Sequence, residues 1–238
     1  MSIISKIKFK LRNTLVYAFL GPLYKRFVTI PKTKRKIIQF QKNALTVVND
    51  LDTVLTQNNI EYYLMWGSML GAIREHGFIK HDFDFDISIF IDEINPDKLQ
   101  PLLENNGFFL EHDLKVDNGN FARHQCYIKN KVGIDIFWFF YDSDNKPYTC
   151  LYKSITGDSK DGVYPIVSKF PFSRKVIRVP FETLYLPVPQ NAHQIMKIIY
   201  GNDYMTPIPP GKYKPPRDPR YHYLRTDKIG YKIEHHID

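Results

Sequence analysis

Cysteine is nearly absent: Cys126 and Cys150 are the only two in 238 residues. That excludes a disulfide framework and any cysteine-based zinc or redox spacing, and a reducing cytoplasm fits best. Long apolar runs are missing too. The best run, Thr14 to Tyr24, covers eleven residues, against the ~20 that a membrane-crossing helix needs. No small-x-small cleavage site follows it convincingly, which leaves a signal peptide poorly supported. No internal repeat is present, so solenoid architectures are excluded.

Acidic residues are missing from one region only. Residues 1–49 contain eleven Lys or Arg and no Asp or Glu, leaving 22 basic against 25 acidic residues in the rest. The formal net charge of +8 therefore belongs to the N-terminus. Within it Ile3, Ile4, Ile7, Leu11, Leu15, Phe19 and Leu23 recur at steps of three and four, an apolar helical stripe beside the lysines. We expect residues 1–35 to form a basic amphipathic helix on an anionic membrane surface, where each basic residue contributes ~1 kcal/mol. Packing of this helix against the core is the structural alternative. Nucleic acid is not expected as a partner, because the rest of the chain is not basic and carries no recognisable binding module.

What is present is most informative at His81-Asp82-Phe83-Asp84-Phe85-Asp86-Ile87-Ser88-Ile89-Phe90. Carboxylates alternate with large apolar residues, and an extended strand of period two places all three acids on one face. Like charges at that spacing repel, and a divalent cation is the ordinary remedy; carboxylate oxygens suit Mg²⁺ or Mn²⁺. A calcium-binding EF-hand loop fails, because its sixth position is Ile87 where that loop needs Gly for a sharp turn. The bland reading is a solvated edge-strand face with the apolar residues on the core. Upstream, Tyr62 to Trp66 reads as a strand ending in Gly67-Ser68, before a helix opening at Met69 to Arg74. Such a turn offers free backbone N–H groups, a hydroxyl and the positive end of a helix, which together favour phosphate. Gly and Ser also mark ordinary turns, so this signal alone is weak.

The two segments together, Trp66-Gly67-Ser68-Met69-Leu70-Gly71-Ala72-Ile73-Arg74-Glu75-His76-Gly77-Phe78-Ile79 and Asp82-Phe83-Asp84-Phe85-Asp86, resemble the signature of the LicD family of cholinephosphotransferases and fukutin-related proteins. Phe83 between the acids is closer to the fukutin-related version, and Lys80-His81 departs from the Pro-Trp that commonly precedes them. Gly133-Ile134-Asp135-Ile136-Phe137 and Tyr200-Gly201-Asn202-Asp203-Tyr204-Met205-Thr206-Pro207 resemble the family's later motifs, so the likeness spans roughly residues 40 to 210. It implies an α+β, nucleotidyltransferase-like mixed β-sheet flanked by helices. It also implies transfer of a phospho-alcohol from a CDP-alcohol donor, such as CDP-choline or CDP-ribitol, to a glycan hydroxyl with release of CMP.

On this resemblance the residues are expected to take the following parts. Asp84 and Asp86 hold metal, Asp82 holds metal or orients its ligands, and Asp135 holds a second metal or takes the hydroxyl proton. Asp135 stands on a strand of Ile134, Ile136, Phe137, Trp138, Phe139 and Phe140, where a carboxylate is costly unless coordinated or paired. Its structural alternative is an ion pair with Arg123 or Lys131 across a hairpin. Gly67, Ser68 and Gly71 line the phosphate turn. Arg74 and Arg123 are candidates to clamp the diphosphate, because Arg matches phosphate oxygens bidentately; surface ion pairing is the alternative for both. His76, His81 and His124 are further acid-base candidates or loop residues.

Expected elements are a helix over 36–58, the metal strand over 84–91, a helix over 96–105, paired strands over 121–128 and 132–141, a strand over 176–186 and a helix over 191–200. The chain then divides into a membrane-surface segment 1–35, a catalytic domain 36–210 and a Pro/Tyr-rich tail 211–238. A lipid-linked or lipopolysaccharide-type acceptor would explain the basic helix and place the enzyme at the inner face of the membrane. Two rivals stay open: a metal-dependent glycosyltransferase with an Asp-x-Asp site, and a membrane scaffold whose acids bind a structural cation.

Overall fold

A computed structural model describes residues 30–157, 161–209 and 218–235. The expected N-terminal amphipathic helix therefore lies outside the described residues up to position 29. Residues 30–35 open the first helix, α1 (Ile30–Gln57), which starts earlier than the expected boundary. Phe40, Ala44, Val47, Val48, Leu51, Val54 and Leu55 form its buried face. Each fully buried side chain of this size stabilises by roughly 1.5–3 kcal/mol, which anchors α1 although no capping acid stands in its first turn.

The chain continues through β1 (Tyr63–Leu64), α2 (Trp66–Arg74), β2 (Asp84–Phe90) and α3 (Pro96–Glu104). Asn95 caps α3, its side chain accepting from the Asp97 N–H at 2.8 Å, with Pro96 at the first turn, as the Asn-Pro pair suggests. Next come β3 (Phe109–Val116), β4 (Ala122–Lys129), β5 (Val132–Tyr141), β6 (Pro147–Ser154) and β7 (Val163–Ser168). The hairpin β8 (Val176–Phe181) and β9 (Leu184–Pro189), α4 (Ala192–Tyr200), β10 (His222–Leu224) and β11 (Gly230–Glu234) complete it.

The architecture is α+β, four α-helices among the described residues around a sheet-rich core. Nine strands form one sheet in the order β1-β2-β5-β4-β3-β11-β7-β10, with β6 bridging β5 and β7. All pairs are antiparallel except β2 with β5, which run parallel with Asp84 opposite Gly133 and Asp86 opposite Asp135. Two expectations change, and one strand is new. The single strand over 176–186 is two strands of a hairpin, reversed at Glu182 with φ +52°. The stretch 109–116 is a strand of the central sheet. The supposedly irregular tail contributes β10 and β11, which pair with β7 and β3.

Candidate active site

The site forms where the parallel pair meets α2. Because β2 and β5 are in register, Asp86 and Asp135 lie side by side and their side chains share a face. Asp84 precedes Asp86 by two residues on the same face, beside Gly133, which adds no side chain. Asp82 precedes the strand in a turn, its N–H bonded to the Ile79 carbonyl at 3.0 Å. A Cβ on Gly67 would stand 3.1 Å from Asp82 Oδ2 and 3.6 Å from Asp86 Oδ2. Asp82 and Asp86 thus converge on the first turn of α2, and glycine at that point leaves the carboxylates room.

The same turn is stitched to β2. The Met65 N–H donates to the Asp86 carbonyl at 3.0 Å, the Asp86 N–H to Ser68 Oγ at 2.8 Å, and the Gly67 N–H to Asp86 Oδ2 at 3.2 Å. Trp66 enters α2 at φ +42°, a left-handed conformation that costs a bulky residue of order 1–3 kcal/mol. It is held by edge contacts with Phe137 and Phe170. Ser68 thereby serves as a buried strut, and the N-terminus of α2 faces the carboxylates.

Negative charge accumulates here, relieved only in part by Lys36 beside Asp84 and by His81 and Arg74 beside Asp82. Burial, then the Asp135 and Asp82 carboxylates, push Asp84 up to about 6. Burial, then Asp84, Asp135 and Asp82, raise Asp86 well above the usual carboxylate range, against the Gly67 N–H. Burial raises Asp82, opposed by His81 and Arg74. Asp135 behaves differently: burial pushes it up, but the hydrogen bond and pull of His124, with Cys126 and His112, bring it below the usual carboxylate range. Among the described residues Asp135 has an ion-pair partner in His124, at 2.9 Å, whereas Asp82, Asp84 and Asp86 have none. Among the described residues no three of these four carboxylates bring ligand oxygens within 4.8 Å of one another. Their all-oxygen chemistry suits a hard divalent cation such as Mg²⁺ or Mn²⁺, whose binding would draw them together.

Beside the cluster a cleft of about 250 Å³ opens, with Gly67, Arg74, His81 and Asp82 on one side and Tyr200, Tyr204 and Thr206 on the other. Arg74 bonds Glu75 Oε1 at 2.7 Å and the Tyr204 carbonyl at 3.3 Å, which holds its guanidinium at the cleft wall. The neighbouring segments 66–74 and 82–86 thus meet residues 200–206 from the far end of the catalytic region.

Two expected donor contacts are placed elsewhere. Arg123 precedes His124 on β4, so the strand period turns it to the opposite face. There it is buried and paired with Asp113, at 3.0 Å, and with Asp97, at 2.8 Å. Gly71 faces the protein: a Cβ there would stand 2.4 Å from the Gly77 carbonyl oxygen, so it serves close packing of α2. Asp135 pairs with neither Arg123 nor Lys131. His76 is exposed in a turn, its carbonyl accepting the Glu182 N–H. Sequence reading missed His112, which lies beside His124 at a ring separation of 5.5 Å; only the unrecognised strand β3 would have disclosed it.

Comparison with known proteins covers the segments that carry the four carboxylates. The family described as LicD/FKTN/FKRP, nucleotidyltransferase domain, matches residues 59–191, more than half of the chain. An uncharacterised protein of Rickettsia typhi is 29% identical over 190 residues, 77% of this chain and 58% of its own length. The ribitol 5-phosphate transferase FKRP of Homo sapiens is 26% identical over 156 residues, 62% of this chain and 29% of its own. The ribitol-5-phosphate transferase FKTN of Mus musculus is 31% identical over 107 residues, 44% of this chain and 23% of its own. The chain thus spans less than two thirds of each of these relatives.

Proposed function

The chain belongs to the LicD family, and from that premise we propose that it is a phosphotransferase moving a phospho-alcohol from a CDP-alcohol donor to a glycan hydroxyl, with release of CMP. The observation that carries this reading is the convergence of Asp82, Asp84, Asp86 and Asp135 beside the N-terminus of α2 and the Arg74 cleft. The names of FKRP and FKTN support ribitol phosphate as the first group to test. An expected Mg²⁺ or Mn²⁺ held by Asp84 and Asp86, with Asp82, would neutralise the donor's phosphates.

The chain's own residues do the rest. Arg74 and the positive end of α2 attract the diphosphate. Gly67 keeps the approach to Asp82 and Asp86 open. Asp135, kept ionised by His124, accepts the proton of the acceptor hydroxyl. The hydroxyl oxygen bonds to the alcohol-bearing phosphorus as the bond from that phosphorus to the bridging oxygen breaks, so CMP departs and a phosphodiester remains.

No helix among the described residues is long and apolar enough to cross a membrane. The eleven basic residues before position 50 support a peripheral station on anionic lipid, near a lipid-linked acceptor. The test is incubation with Mg²⁺ or Mn²⁺ and a panel of CDP-choline, CDP-ribitol, CDP-glycerol and UDP-sugars, with nucleotide release followed by chromatography. CMP release from a CDP-alcohol is expected. UDP release instead would favour the glycosyltransferase, and metal binding without release from any donor would favour the scaffold.

A further inference from the structure

The polar face does not stop at Asp135. Strand register continues the row from Asp86 through Asp135 to Cys126 on β4 and His112 on β3. His124 stands on the same face two residues along β4 from Cys126. One ligand atom from each of His112, His124 and Asp135 lies within 4.8 Å of the others, and Glu111, His112 and Cys126 form a second such group. His112 Nδ1 is a buried nitrogen without a hydrogen bond; Glu111 Oε2 is 3.4 Å away but not in hydrogen-bond geometry. His124 Nε2 faces Asp135 Oδ1 at 2.9 Å, its ring stacked on Phe137.

We propose that His112, His124 and Asp135 form a second cation site, for a borderline metal of the Zn²⁺ class, separate from the carboxylate cluster and sharing only Asp135 with it. Two imidazoles and one carboxylate are a common ligand set for Zn²⁺ and a poor one for Mg²⁺, which prefers oxygen and keeps its water. Zn²⁺ bonds of ~2.0–2.1 Å place tetrahedral ligand atoms ~3.4 Å apart, so binding draws the three groups together by little more than ~1 Å. The Cys126 thiol, next to Asp135 and 3.7 Å from Glu111 Oε2, is a soft neighbour that Mg²⁺ would not use. Cation binding here would replace the His124 hydrogen bond and hold Asp135 in one orientation beside Asp86. The site stands on its own residues, whether or not the chain transfers phospho-alcohols.

The test uses full-length protein stripped with chelator and titrated calorimetrically with Zn²⁺ alone, Mg²⁺ alone, and Zn²⁺ in excess Mg²⁺. Co²⁺ absorption reports coordination in parallel. We expect Zn²⁺ to bind in the presence of excess Mg²⁺. His112→Ala and the bulkier His112→Gln should each weaken Zn²⁺ on the order of 100-fold, at least the loss seen for outer-shell changes, and leave Mg²⁺ unchanged. Asp84→Asn should do the reverse. Absence of Zn²⁺ binding, displacement of Zn²⁺ by Mg²⁺, or full Zn²⁺ affinity in both His112 variants would overturn the proposal. Those outcomes leave the transferase reading to its own test, CMP release with Mg²⁺.

Discussion

Asp84→Asn should make the metal-free protein more stable and the metal-loaded protein inactive. Asp84 is held up at about 6 from an ordinary value of 3.8, by burial and by the Asp135 and Asp82 charges. Its folded form therefore binds a proton more tightly than its unfolded form. The metal-free wild type is favoured below about pH 4, loses stability as the pH rises to about 6, and stays lower above that. At ~1.4 kcal/mol per unit the ionised group costs about 3 kcal/mol at neutral pH. Asparagine removes the charge but remains a half-buried polar group, so a net gain of about 1–3 kcal/mol is expected. For a chain of this size that raises Tm by about 2–12 °C. Mg²⁺ should cancel or reverse the comparison, since a ligand at 100 times its Kd stabilises the wild type by ~2.7 kcal/mol and the variant far less. Thermal unfolding of both proteins in EDTA and in Mg²⁺, from pH 4 to pH 8, reads all of this. A variant less stable than wild type in EDTA and equally responsive to Mg²⁺ would refute the reasoning.

Arg123→Ala should lower stability by ~3 kcal/mol in urea unfolding, the lower end for breaking a buried ion pair, because it leaves the buried Asp113 carboxylate with only the Lys115 ammonium 3.3 Å away, while Mg²⁺ affinity by calorimetry stays as in wild type. Gly71→Ala should cost ~1–3 kcal/mol through overpacking against the Gly77 carbonyl, seen as a lower Tm with CMP release intact at permissive temperature. Arg74→Ala should raise the KM for the donor by about 10- to 100-fold, the worth of one charged hydrogen-bonding group, with a smaller change in kcat. Removal of residues 1–29 should abolish salt-sensitive flotation with anionic liposomes and leave CMP release to a soluble acceptor unchanged; equal flotation would rule out the anchor.

The acidic strand is legible because period two needs no tertiary information, and the helix over 36–58 because its apolar stripe is long. Parallel pairing of β2 with β5 is not legible, yet it alone sets Asp135 beside Asp86. Arg123 misleads because side-chain type suggests phosphate, while the face it occupies depends on register. Phe109 to Val116 hides as a strand since Glu111, His112 and Asp113 break its apolar alternation; His112 finds its reason only opposite Cys126. The β8–β9 turn lacks the Gly, Pro or Asn that would announce it, and Glu182 takes the positive φ instead. In the C-terminal region proline and tyrosine suggest irregular chain, but β10 and β11 draw their order from pairing with β7 and β3.

The central claim is that the Asp82, Asp84, Asp86 and Asp135 cluster moves a phosphate-linked alcohol rather than a sugar. Phosphorus NMR of the glycan product, formed from a CDP-alcohol in Mg²⁺ by wild type and by Asp84→Asn, tests it most directly. A phosphodiester resonance on the acceptor, accompanied by equimolar CMP and absent with the variant, is the predicted result. A glycan product that gains mass without phosphorus, or a phosphodiester formed equally well by Asp84→Asn, would contradict it.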